Sequence, residues 1–180
     1  MLKLKVLNSL TPVFADKELE AGELTKLFAC KNQTANFQIA FKLAEDTPPC
    51  VPFFLKIKSE LPISLYYVNN VPVIHTATLK NAPPIGLYPD VLLPKSVNPN
   101  TENHAYPWSD VVIEKGEKTQ LQAYSDSWQA VWLSVNENGK SLKSGSYTVA
   151  VDAYNGKNEH IGSASVEVEI LSHSLPRQKL

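Results

Sequence analysis

The chain has 180 residues, of which 43% are hydrophobic and 19% charged. That is the size and composition of one globular domain with a full core, and it excludes a disordered segment. With 17 Lys and Arg against 18 Asp and Glu, and with the basic residues scattered, a nucleic-acid partner is not expected. No apolar run approaches the ~20 residues that span a bilayer. The opening MLKLKVLNSL alternates apolar and polar residues instead of forming a signal-peptide core, so no membrane partner and a cytoplasmic location are expected.

Taken in chain order, residues 2–7 read as a first strand. ADKELEAGELTKL then offers a short helical turn, with Asp16 as its cap and Gly22 near its end. Asn32 opens an N-Q-T glycosylation sequon, which has meaning only in a secreted eukaryotic chain. Cys30 and Cys50 could form one disulfide, but neither sits in a CxxC motif, and a domain with a full core is read with reduced thiols.

Phe37, Ile39, Phe41 and Leu43 alternate with Gln38, Ala40 and Lys42, and Phe53, Leu55 and Ile57 alternate with Phe54, Lys56 and Lys58. Period-two patterns place one face on a core and one towards water. Residues 64–68, 111–114, 119–124 and 129–135 are further strands. The last is apolar on both faces, with Val131, Leu133 and Val135 opposite Ala130 and Trp132, and is expected at the centre of a sheet.

The C-terminal region predicts a hairpin. Tyr147, Val149, Val151 and Ala153 share one face, Asn155-Gly156 tolerates positive φ, and Ala164, Val166, Val168 and Ile170 form the inward face of the return strand. The polar run Lys157–His160 allows a connection longer than two residues. About nine short strands and almost no helix predict an all-β fold, an antiparallel two-sheet β-sandwich with Greek-key, immunoglobulin-like connections; a closed barrel is the alternative.

Residues 81–109 break the rhythm. They hold Pro83, Pro84, Pro89, Pro94, Pro99 and Pro107 together with Tyr88, Tyr106 and Trp108, and read as a long proline-rich loop. An ordered loop of this kind is usually there to contact something.

Catalytic chemistry finds little support. His75, His104, His160 and His173 stand singly, without HxH or HExxH spacing, and no GxSxG or glycine-rich phosphate loop occurs. Asp90 and Asp110 flank part of the proline-rich loop and could form a carboxylate pair, although Asp beside a proline more often caps a turn. Asn136, Glu137 and Asn138 resemble a calcium loop in composition but lack its residue order, which favours a plain polar connection. Tyr66, Tyr67, Tyr88, Tyr106, Trp108, Trp128 and Trp132 could stack on sugars, but in a sandwich such rings more often fill the core or an interface. No catalytic residue, metal site or cofactor is therefore assigned.

Three stretches in fixed order resemble a known family. GLYPDVLLP (Gly86–Pro94), QAVWLSV (Gln129–Val135) and LKSGSYTVAV (Leu142–Val151) are similar to the N-terminal β-sandwich of glycoside hydrolase family 123 and related bacterial proteins of unknown function. Val91 stands where that pattern often has a second proline. The resemblance implies that residues 1–171 form an accessory sandwich and that 172–180, with Leu175-Pro176, lead as a linker towards a C-terminal (β/α)-barrel.

By the same resemblance the whole protein would act on N-acetylhexosaminides through residues of that barrel. The partner expected is the chain's own catalytic domain, contacted by Tyr88, Asp90, Leu92, Leu93, Tyr106 and Trp108. Two alternatives stand: an independent carbohydrate-binding module using Tyr66, Tyr67, Tyr106 and Trp108, and a structural or assembly sandwich. Cys30 and Cys50 lie only 20 apart and before every Trp, which does not match the immunoglobulin Cys-Trp-Cys order.

Overall fold

Alternating apolar residues that cannot all be buried by one sheet require a second sheet to face them, and the chain supplies both. A computed structural model describes residues 2–45, 48–73, 85–94 and 118–176. Among these, β1 (Leu2–Asn8), β3 (Ala35–Leu43), β8 (Gln129–Val135), β5 (Ile63–Val73) and β6 (Gly86–Pro94) form one sheet in that spatial order. The second sheet runs β2 (Lys26–Ala29), β10 (His160–Ile170), β9 (Gly145–Asn155), β4 (Cys50–Lys58) and β7 (Lys118–Tyr124). All pairs are antiparallel except β2 against β10, where Lys26–Ala29 runs parallel to Glu167–Ile170.

The core lies between the sheets and uses the residues that alternation nominated. Phe37, Ile39, Val131, Leu133 and Leu65 face Phe53, Leu55, Val149, Val151, Val166 and Val168. The Phe41 and Phe53 rings meet edge to face across the sandwich at 5.1 Å between centroids. Each large apolar side chain so buried is worth about 1.5–3 kcal/mol relative to exposure.

Four sequence expectations change. First, Gln38, Ala40 and Lys42 do not face water: they are buried beneath residues 9–25, a strap laid across the outer face of the β1–β3–β8–β5–β6 sheet. Val13, Trp128 and the flanking Leu19 and Ala21 form a second apolar cluster there with Leu7, Ala40 and Ala130. Second, the strap contains no helix, and at Asp16 only the turn Ala15–Asp16. Its polar backbone is satisfied by the sheet instead: Trp128 N–H donates to Ala15 C=O at 3.1 Å, Lys5 Nζ to Leu19 C=O at 3.2 Å and Leu24 N–H to Val6 C=O at 2.8 Å.

Third, Gly86–Pro94 is strand β6 and not part of a loop. It lies at a sheet edge, where a proline's missing N–H breaks no ladder. Fourth, the β9–β10 connection takes its positive φ at Asn158 (64°) rather than at the Asn155-Gly156 pair. Asn155 Oδ1 accepts from the Lys157 and Glu159 N–H groups and closes that turn. The 111–114 strand and the rest of the proline-rich stretch lie outside the described residues. Cys30 and Cys50 are free thiols, as read. No described helix is long and apolar enough to cross a membrane.

Candidate interaction surface

Strand β6 carries four of the six nominated residues, and its register decides where each goes. Val91 pairs with Asn69 and Pro89 with Asn70, so Asp90 is an extra residue with no partner across the ladder. A bulge of this kind bends a strand and re-aims its side chains. Asp90 is exposed at the bulge, Leu92 is 41% exposed, and Leu93 turns inward against the main core. Tyr88 packs edge to face on Phe14 of the strap, at 5.6 Å. Tyr106 and Trp108 lie outside the described residues, as do His75, His104 and Asp110.

Asp90 and Leu92 meet residues that sequence reasoning did not nominate. Strap and edge strand enclose a groove of about 340 Å³ on the outer face, lined by Leu10, Pro12, Gln38, Pro89 and Trp132 besides Asp90 and Leu92. Leu10 is 88% exposed at its rim. Gln38 Nε2 builds the floor by donating to the carbonyls of Asn8 (3.3 Å), Ser9 (2.9 Å) and Thr11 (3.0 Å), which fixes the start of the strap. Trp132 was legible as lying opposite Val131 and Leu133; the missing signal was that a distant segment would wall in its face.

Several other polar residues prove structural. Asn136, read as a calcium-like donor, is buried with φ 56°, and its amide accepts from Lys140 N–H and donates to Lys140 C=O at 2.8 Å. This is the plain polar connection. Tyr66 OH bonds Glu137, whereas Tyr67 is buried with its hydroxyl unpartnered among the described residues, so burial pushes its phenol well above the ordinary value. Tyr67 therefore offers no ring to a sugar.

On the outer face of the other sheet, Lys26 bridges Glu167 and Glu169 at 3.0 and 2.7 Å. Hydrogen bonds that Lys26 donates to Glu169, and next to Glu167, raise its pKa; those that Glu167 accepts from Ser146 first and Lys26 second lower that of Glu167. His160 lies 3.8 Å from Asp152, which is itself paired with Lys58 at 2.7 Å. Among the described residues no group of three or more His, Cys, Asp or Glu is placed to hold a metal ion.

The chain beyond β10 follows the second sheet. Lys31 N–H donates to His173 C=O at 2.9 Å, and the Asn32 amide bonds both the N–H (2.7 Å) and the C=O (2.9 Å) of Leu175. Residues 171–175 are thus tied to the β2–β3 turn. Only their distant partner, far away in sequence, reveals this.

These features define an all-β, two-sheet sandwich with a strapped outer face. No protein-family model matches the chain, and no curated protein matches it. Among solved structures it is similar to a family 123 glycoside hydrolase from Clostridium perfringens, whose structural analysis addressed glycolipid glycan hydrolysis: TM-score 0.62, 11% identity, covering 98% of this chain and 28% of that one. At that identity the likeness is one of fold, and the chain spans 28% of the length of that enzyme. It is also similar to the major subunit of aggregative adherence fimbriae type I from Escherichia coli, at 10% identity over 95% and 96% of the two chains with TM-score 0.41. A Clostridium acetobutylicum protein, CaCohA2, aligns at 10% identity over 82% and 88% with TM-score 0.38. Neither of these lower-scoring likenesses bears on function.

Proposed function

We propose that the chain is a non-catalytic β-sandwich module of a larger glycoside hydrolase, packing against a (β/α)-barrel that acts on N-acetylhexosaminides. The observation that carries this reading is the fold likeness to a family 123 glycoside hydrolase over 98% of this chain but only 28% of that enzyme. The ordered motifs Gly86–Pro94, Gln129–Val135 and Leu142–Val151 support it. In this reading the contact surface is the outer face beside β6, with Asp90 and Leu92 at its centre and Tyr88 and Leu93 holding the strand in place. The Asn32 clamp on Leu175 supports a fixed start, at the described residues 172–176, for the linker read over 172–180.

Comparing amide exchange in 86–94 and 9–13 for this chain alone and for the protein encoded together with its genomic continuation tests the reading. Extra protection of β6 in the longer protein is expected; equal protection in both overturns the packing.

A second reading, an independent carbohydrate-binding module, is favoured by the groove that sets Trp132 beside the Asp90 carboxylate. Aromatic faces and carboxylates are the groups that hold sugar rings and hydroxyls. Binding on a glycan array that disappears with Trp132→Ala is the result expected from it.

A further inference from the structure

Within the strap, residues 12–23 are fastened differently from the stretches on either side of them. The start is fixed by Gln38, which holds the carbonyls of Asn8, Ser9 and Thr11, and by Thr11 N–H donating to Asn8 C=O at 3.0 Å. The end is fixed by Leu24 N–H on Val6 C=O at 2.8 Å and by Glu167 N–H on Thr25 C=O at 3.0 Å. Between these anchors Ala15 C=O accepts from Trp128 N–H at 3.1 Å, Leu19 C=O accepts from Lys5 Nζ at 3.2 Å, and the Phe14 ring meets Tyr88 edge to face at 5.6 Å. Of residues 12–23 just Val13 and Ala15 are fully buried.

What this segment covers is costly to cover. Lys42 is only 9% exposed, and its ammonium pairs with Glu18 at 3.6 Å; that carboxylate side chain is itself 80% exposed, which makes the pair weak compensation for a cation drawn from water. Trp128 is buried in one cluster with Val13, and its Nε1–H finds no acceptor among the described residues. A buried donor left without a partner opposes the closed form. Against these costs stands the apolar cluster of Leu7, Val13, Ala40, Trp128 and Ala130, which keeps the segment down. The main core is independent of it, because Phe37, Val131 and Val149 are buried between the two sheets.

We propose that residues 12–23 are a flap, hinged at residues 8–11 and at Leu24–Thr25, that opens as one unit while both sheets stay folded. A segment with few buried apolar contacts opens at lower free energy than a strand paired along both sides, and β8, between β3 and β5, is such a strand. The consequence falls on the outer groove. Pro12 and Val13 form part of its wall, and Phe14 grips Tyr88 on β6. The groove is therefore complete only with the flap down, whatever it binds.

Amide exchange of the whole 180-residue chain, read residue by residue, is the test. The Trp128 N–H reports closure of the flap, because its acceptor is Ala15, and the Val131 N–H, inside β8, reports the sandwich. Relative to each amide's unprotected rate, Trp128 is expected to exchange roughly 100-fold or more faster than Val131. Low urea accelerates Val131 and leaves Trp128 nearly unchanged, since a local opening exposes little surface. Phe14→Ala removes a contact made only in the closed form and speeds Trp128 exchange by roughly tenfold. Val149→Ala, in the core, speeds Val131 and leaves Trp128 unmoved; should that variant not fold, the urea dependence in the parent chain decides by itself. Equal protection of the two amides overturns the flap. So does acceleration of Trp128 in step with Val131, by urea or by Val149→Ala, because the segment then opens only when the whole sandwich unfolds.

Discussion

Asn32 and Leu175 are joined at both ends of one peptide-like fork: Leu175 N–H donates to Asn32 Oδ1 at 2.7 Å, and Asn32 Nδ2 donates to Leu175 C=O at 2.9 Å. The amide side chain mimics a strand neighbour and extends the sheet's pattern past β10. Each bond is exposed, so the pair contributes about 1 kcal/mol. Asn32→Ala is expected to abolish the protection of the Leu175 amide against exchange while lowering global stability by no more than about 1–2 kcal/mol. Unchanged exchange at Leu175 would show that the clamp does not hold the tail.

Asn136 sits at φ 56° with its side chain buried and bonded to Lys140. Asn136→Ala loses those bonds and strains the backbone, and is expected to cost about 3 kcal/mol. Asn136→Gly loses the bonds but accepts the angle, and should cost about 1 kcal/mol less. Urea denaturation of both variants checks the order; equal costs would mean that the positive φ contributes nothing.

Tyr67 brings a hydroxyl into the core and finds no described partner for it. Tyr67→Phe removes the unsatisfied group and should raise stability by about 1 kcal/mol. The phenol also makes stability pH-dependent. Burial raises its pKa above the ordinary 10.0, so the folded state holds the proton after the unfolded state has lost it. That contribution is fully present below pH 10 and is lost as pH rises through the folded value, with a limiting slope of about 1.4 kcal/mol per pH unit. Denaturation at pH 9, 10 and 11 should show a fall that Tyr67→Phe makes shallower.

Phe53 and Leu92 separate core from surface. Phe53 is 1% exposed and meets Phe41 edge to face, so Phe53→Ala is expected to cost about 3–5 kcal/mol. Leu92, at 41% exposure on an edge strand, should cost under about 1 kcal/mol as Leu92→Ser. A large loss at Leu92, read from calorimetry, would mean that the outer groove belongs to the folding core.

Much of the sandwich was legible because alternation is a local consequence of backbone geometry. Val149, Val151 and Ala153 opposite Val166, Val168 and Ile170 needed no knowledge of the rest of the chain. β6 reads as loop in the sequence because Pro89 and Pro94 look prohibitive for a strand, and only an edge position removes that objection. The alternation that places Phe37 and Phe41 on the core also assigns Gln38 and Lys42 to water, where the structure buries them. No periodicity in 9–25 announces that this segment will cover them, because the strap is held by backbone bonds and by Val13, Leu19 and Ala21 at irregular spacing.

The candidate surface was half legible. Asp90 and Leu92 stand out as charge and apolar bulk among prolines, but Leu10 and Trp132 join them only through pairing between strands far apart in sequence, such as Gln38 with Trp132. Ladder register and the unpaired Asp90 are likewise relations between strands.

The sequence by itself determined that these residues make strands and which stripe of each is apolar, since side-chain direction in an extended chain follows from bond geometry. The tertiary structure alone decided which outer face is covered and where the edges fall. Those outcomes depend on which segments become neighbours, and that is set by burial summed over the whole chain.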